Sequence, residues 1–122
     1  MSAPSLDHVQ VAAPRGCEDE ARRFYGKVLG LEEIEKPPAL RSRGGAWFRV
    51  GAQELHVGVD ESFTPATKAH PALRVADLDE VRARLEAVGA RIVDDDGTIA
   101  GVRRFYTADP FGNRIELLTR SP

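Results

Sequence analysis

Three histidines occur in the 122 residues, His8, His56 and His70, and each opens or lies within an alternating apolar run that reads as a strand. Successive side chains of a strand point to opposite faces, so each run divides in two. Val9, Val11 and Ala13 share one face of the first run, with His8, Gln10 and Ala12 opposite. Leu55, Val57 and Val59 oppose Glu54, His56 and Gly58, and Leu73 and Val75 oppose His70, Ala72 and Arg74. In the last run Ile115 and Leu117 oppose Arg114, Glu116 and Leu118. Four strands therefore pair an aliphatic face with a mixed face that carries His8, His56, His70 and Glu116. Imidazole and carboxylate are natural ligands of a divalent first-row metal, so these four side chains are candidate metal ligands. They equally suit the solvated face of half-buried antiparallel strands, and face parity permits convergence without requiring it.

The elements that must position them recur twice along the chain. The first strand, from His8, is followed by a helical stripe over Glu18 to Leu29, with Gly30 as its stop. Strand-like pieces follow at Leu31 to Lys36, Ala46 to Val50 and Gln53 to Asp60, with Pro37-Pro38 and Gly44-Gly45 bounding a loop. The second half repeats the plan from His70. Leu78, Val81, Leu85 and Val88 recur at helical spacing, Asp77 and Glu80 form a capping-box-like start, and Gly89 ends the run. Arg91 to Asp94, Val102 to Thr107 and Arg114 to Thr119 complete it, and residues 61–69 read as the connection between halves. Three strands after each helix, joined by short links, favour antiparallel pairing over a doubly wound sheet. The expected class is α+β: βαβββ written twice, giving two small curved sheets with helices outside.

Composition narrows the function. With 17 Lys+Arg against 19 Asp+Glu, a net charge of −2 and a pI near 5.9, the chain lacks the basic surface that nucleic acid demands. No run approaches a membrane span, and the start has neither a basic region nor an apolar core of a signal peptide. A soluble cytoplasmic protein with no nucleic-acid or membrane partner is expected. Cys17, the one cysteine, has no disulfide partner and is assigned no chemistry.

Three stretches carry a family resemblance: Leu6-Asp7-His8-Val9, Phe24-Tyr25-Gly26-Lys27-Val28-Leu29-Gly30-Leu31, and Ala69-His70-Pro71-Ala72-Leu73. With the ending Asp109-Pro110-Phe111-Gly112-Asn113-Arg114-Ile115-Glu116-Leu117, the chain resembles the vicinal oxygen chelate superfamily of glyoxalases, fosfomycin-resistance enzymes, extradiol dioxygenases and bleomycin-resistance proteins. The resemblance implies a single glyoxalase-like domain over 1–122, with modules at about 5–60 and 69–120 forming a cupped, antiparallel-rich sheet. It places the metal ligands at His8, His56, His70 and Glu116. Glu54 shares the face of His56, and a shift of two residues exchanges them. The implied cofactor is a divalent ion (zinc, nickel, cobalt, manganese or iron) that stabilises an enediolate or bidentate substrate as a Lewis acid.

The same resemblance makes Glu116 the proton-transfer base, with Glu54 as the alternative. Arg74 and Arg114, on the ligand face, suit a substrate carboxylate or phosphate. Phe48, Phe105 and Trp47 are candidate pocket walls. The turn over Asp109 to Asn113 is expected to set the register of the last strand and so aim Glu116. The implied function is a metal-dependent glyoxalase-like lyase or isomerase acting on a small oxygen-rich substrate, as a homodimer. The alternatives are a metal-free antibiotic-binding protein of the bleomycin-resistance type, a fosfomycin-type transferase and a short extradiol dioxygenase.

Overall fold

A computed structural model describes residues 2–121 and divides the chain into two compact units, with the boundary between Phe63 and Thr64. In unit one, β1 (His8–Ala13) leads to α1 (Glu18–Ala21), which runs directly into a π-helical segment, Arg22–Val28. β2 (Glu32–Ile34), a 3-10 segment (Pro38–Arg43), β3 (Ala46–Val50) and β4 (Gln53–Val59) follow. The sheet order is β1-β4-β3-β2, parallel between β1 and β4 and antiparallel elsewhere. Parallel pairing at that one place follows from the helical crossover that separates β1 from the β2–β4 meander.

The aliphatic face lies under the helical segment, as the alternation predicts. Phe24, Tyr25 and Val28 are buried with Phe48, Leu55 and Val57, and the Tyr25 and Phe48 rings stand 5.7 Å apart. Each such fully buried side chain contributes about 1.5–3 kcal/mol relative to exposure. The helix differs from expectation in its hydrogen bonding. The Leu29 N–H donates to Phe24 O five residues back, the π pattern, while the buried stripe keeps helical spacing. The segment between the prolines and glycines is helical rather than irregular: Pro38 starts it with a preset φ and Gly44, at φ +76°, ends it.

Next to it, Gly45 is irreplaceable on two counts. Its φ is +85°, and a Cβ there would lie 2.1 Å from Val57 O. Its N–H donates to Glu18 Oε2 at 2.6 Å, which ties the start of α1 to the entry of β3.

Unit two repeats the plan with β5 (Ala72–Arg74), α2 (Leu78–Ala87), β6 (Val93–Asp94), β7 (Val102–Ala108) and β8 (Arg114–Arg120). Its order is β5-β8-β7-β6, again with the first pair parallel. The Asp77 side chain accepts the Glu80 N–H at 3.0 Å, and Leu78, Val81 and Leu85 are buried. Val88 departs from the expected stripe and is 56% exposed, because the helix stops one residue earlier and the chain turns at Gly89.

β5 is shorter than the apolar run implied, and His70 and Pro71 precede it. Pro71 has no N–H to give a ladder, but its carbonyl accepts the Glu116 N–H at 3.0 Å, which holds His70 alongside β8. The turn before β8 is closed from within. Asp109 Oδ1 accepts the N–H groups of Phe111 and Asn113 at 2.9 and 2.8 Å, and Asn113 Nδ2 donates to Oδ2 at 2.8 Å. Both side chains are buried, and Gly112 supplies φ +92°, so the register of β8 is fixed at its first residue. Among the described residues no helix is long and apolar enough to cross a membrane.

Candidate functional site

On the mixed face of unit one, β1 and β4 bring together His8, Glu54 and His56. His56 is 5% exposed and lies in a stack. The Trp47 ring of β3 is 3.8 Å away at 2°, and the His8 ring is 4.3 Å away at 20° on β1. His56 Nε2 stands 2.8 Å from Glu54 Oε1, and His8 Nδ1 2.8 Å from Asp7 Oδ1. Gly58 leaves room on this face for the Gln10 side chain: a Cβ there would come within 2.6 Å of its amide.

On the mixed face of unit two, His70 meets Glu116, which is 5% exposed, with Nε2 and Oε1 3.0 Å apart. The second ring nitrogen of His70, Nδ1, lies 2.9 Å from Lys68 O. A carbonyl oxygen only accepts, so Nδ1 carries the proton and donates it. Nε2 then faces a carboxyl oxygen, and the contact requires a proton, on either atom, or a cation between the two. Glu116 Oε2 is held at 3.4 Å by Arg104 Nη1, whose other terminal nitrogen contacts Asp95 Oδ2 at 2.8 Å and Thr98 Oγ1 at 3.1 Å. Arg104 Nε is buried and unpartnered among the described residues.

The registers of the two sheets bear on the choice between Glu54 and His56. His8 lies opposite Glu54 and Gln10 opposite His56. In unit two Ala72 lies opposite Glu116, which puts His70 at the level of Arg114. By register, His56 takes the place in its sheet that Glu116 takes in the other, and Glu54 corresponds to Arg114. The neighbouring strands agree, with Trp47 opposite His56 and Tyr106 opposite Glu116.

The remaining candidates separate. Phe48 and Phe105 are 0% and 1% exposed and sit opposite Leu55 and Leu117 on the aliphatic faces, so they are core residues and not pocket walls. The aromatic wall is one residue away on each strand, at Trp47 and Tyr106, the latter 5.1 Å from the His70 ring and edge-on to it. Arg114 stacks 3.9 Å above the Tyr106 ring centroid, whereas Arg74 is exposed at the end of β5, opposite Leu118. Arg104 is the residue that sequence reasoning missed. The signal for it was its place two residues from Tyr106 on β7. Burial, then the neighbouring Glu18 carboxylate, pushes the Cys17 thiol up, which favours the protonated, unreactive form.

The glyoxalase-like domain family model matches residues 11–118. The chain belongs to this family. A glyoxalase family protein from Bacillus anthracis is 50% identical over 99% of this chain and 98% of its own, with a TM-score of 0.93. A lactoylglutathione lyase from Agrobacterium tumefaciens is 24% identical over 98% and 96% of the two chains, with a TM-score of 0.73. A variant of the fosfomycin resistance protein FosX from Listeria monocytogenes, solved with Mn(II), is 19% identical over 98% and 95%, with a TM-score of 0.78. The family model and the 50% identical relative place the domain in the vicinal oxygen chelate superfamily, and the other two neighbours share its fold. No curated protein matches the sequence.

The His70–Glu116 pair of this glyoxalase-like domain suits the divalent ion that the fold family implies. Ring nitrogens that bind metals usually donate their other N–H to a carbonyl or carboxylate, which fixes the tautomer. His70 does so toward Lys68 O, and His8 has Asp7 in the corresponding place. The 3.0 Å separation of His70 Nε2 and Glu116 Oε1 is also that of two donors sharing one ion at about 2.0–2.2 Å from each. Among the described residues no three His, Cys, Asp or Glu side chains form a group able to hold an ion.

Proposed function

We propose that this glyoxalase-like protein is a divalent-metal-dependent lyase or isomerase acting on a small oxygen-rich substrate, with His70 and Glu116 of unit two and His8 and His56 of unit one as its candidate metal ligands. The observation that carries this reading is the paired state of His70: its Nδ1 N–H is committed to Lys68 O, which leaves Nε2 and Glu116 Oε1 as a pair that takes a proton or an ion between them. An ion bound there supplies Lewis acidity toward neighbouring substrate oxygens. Glu116, which Arg104 engages at Oε2, is the first candidate to hold or move the proton. Glu54 is the second candidate base, half-buried and hydrogen-bonded to His56. Trp47 and Tyr106 shield the two imidazoles from water on one side. Register supports His56 over Glu54 as the ligand, and a homodimer is the proposed assembly.

The test is elemental analysis of untagged protein, followed by loading with zinc, nickel, cobalt, manganese or ferrous iron. Hemithioacetal, epimerase, fosfomycin and catechol substrates are then screened. Turnover of one substrate class that appears with metal and disappears with chelator is expected. Protein that neither retains nor takes up an ion, and that turns over none of them, overturns the proposal.

A further inference from the structure

Seven of the 14 arginines have carboxylate partners among the described residues: Arg15 with Glu61, Arg22 with Glu33, Arg41 with Glu35, Arg82 with Asp94, Arg84 with Glu80, Arg103 with Asp79 and Arg104 with Asp95. Of the unpaired cations in unit two, three share a cavity. Lys68, Arg91 and Arg114 have no carboxylate within ion-pair distance among the described residues, and all three line one cavity of about 560 Å³. No Asp or Glu contributes to the described lining of that cavity, in a chain whose acids outnumber its bases. Its volume suits a small molecule.

The cavity opens on the mixed face of the sheet. Tyr106, Ala108 and Arg114 line it, and the pairings Tyr106–Glu116 and Ala108–Arg114 put them on the face of Glu116. Val93, opposite Tyr106, continues the lining onto β6. Arg114 is already oriented. Its guanidinium lies 3.9 Å from the Tyr106 ring centroid, and Nη1 donates to Lys68 O at 3.2 Å. A guanidinium held flat on an aromatic ring presents its remaining N–H fork at little further cost in side-chain entropy, and that fork matches an oxyanion. Lys68 O thus links the two features, since it accepts from both Arg114 and His70.

We infer that the Lys68–Arg91–Arg114 cavity is a receptor for the oxyanion of a small acid, a carboxylate or a phosphoryl group, one aromatic ring away from the His70–Glu116 pair. With three cations and no carboxylate in its described lining, the cavity carries positive charge and suits an anion. The ligand class follows: a compact acid whose anionic end sits on Arg114 and whose further oxygens extend past Tyr106 toward His70. Its identification as the substrate rests on the reading above, whereas oxyanion binding stands on the cavity alone.

Protein as purified, and the same protein after dialysis against a chelator, is titrated with inorganic phosphate and with malonate at constant ionic strength, followed by calorimetry and amide chemical shifts. Saturable binding of one or both is expected in both preparations, centred on residues 65–68, Tyr106 and Arg114. Losing the charge-assisted hydrogen bonds in Arg114→Gln weakens binding by about tenfold or more. Arg91→Gln, at an exposed position before β6, weakens it several-fold without touching the sheet, and Arg120→Gln leaves it unchanged. Circular dichroism establishes that each variant folds. Non-saturating titrations, equal affinity in wild type and Arg91→Gln, or binding lost on chelation each overturn the inference. Metal content measured on the same samples separates the two readings. Metal retained without oxyanion binding ends this inference alone, and oxyanion binding in protein that takes up no metal ends the earlier reading alone.

Discussion

His70 Nε2 and Glu116 Oε1 stand 3.0 Å apart although 46 residues separate them in sequence. The contact is produced by the backbone: β5 runs parallel to β8, and the Glu116 N–H donates to Pro71 O immediately beyond His70. Because Lys68 O takes the proton of Nδ1, the Nε2–Oε1 pair is a place where a second proton or a cation belongs. Arg104 keeps the other carboxylate oxygen engaged and so restricts how Glu116 can turn.

Arg104 is therefore expected to act through Glu116. Arg104→Met leaves Asp95 and Glu116 without their shared cation and is expected to lower divalent-metal affinity by about 10–100-fold, the usual cost of losing a residue that orients a ligand. Competition titration with a chromophoric chelator measures it. Arg104→Lys should recover part of the loss, and identical affinities in all three proteins would show that Arg104 does not position Glu116.

Phe48 and Trp47 are neighbours with opposite duties. Phe48→Ala removes a fully buried ring beneath the helical segment and is expected to cost about 3–5 kcal/mol in urea unfolding. Trp47→Ala removes the ring stacked on His56 and should cost less stability while changing the environment of the imidazole, seen in its ring proton shifts. Similar stability losses in the two variants would contradict the assignment of faces.

Alternation revealed the two faces of β1, β4, β5 and β8 because each of these strands has an uninterrupted aliphatic set. It did not decide which aromatics of β3 and β7 share the ligand face. That phase depends on register, Trp47 opposite His56 and Tyr106 opposite Glu116, and pairing is set by distant turns. The π pattern of Arg22–Val28 was hidden for a different reason: Ala21, Phe24, Tyr25 and Val28 keep the spacing of an ordinary helix while the backbone bonds shift by one residue. The 3-10 segment after Pro37 is short and without buried residues, so it leaves no apolar period to read. The Asp77 cap and the Asp109–Asn113 turn were legible, since both depend on local hydrogen bonds between neighbours in sequence.

The Asp77 cap supplies a further prediction. Asp77→Ala leaves the Glu80 N–H without its side-chain acceptor and is expected to lower stability by about 1 kcal/mol. Thermal unfolding of unit two's helix signal checks it, and an unchanged midpoint would show that water replaces the cap at no cost.

Glu18 and Gly45 couple stability to pH. The Gly45 N–H holds the Glu18 carboxyl below its ordinary value, so the ionised form favours the folded chain. That contribution is fully present above the ordinary carboxyl range and is lost as pH falls through the lowered folded value. Glu18→Gln should flatten this part of the acid limb of a stability–pH curve. Gly45→Ala should be worse at every pH, by more than the about 1–3 kcal/mol of left-handed strain alone, because its Cβ meets Val57 O. Parallel acid limbs for wild type and Glu18→Gln would contradict the coupling.

The most direct test of the proposed metal centre is the metal-to-protein ratio of untagged wild type, His70→Ala and Glu116→Gln after loading and gel filtration. The predicted result is one tightly held divalent ion per chain in wild type and its loss from both variants, with each variant still folded by circular dichroism. Wild type that holds no ion, or variants that hold as much as wild type, would contradict the assignment of His70 and Glu116 as metal ligands.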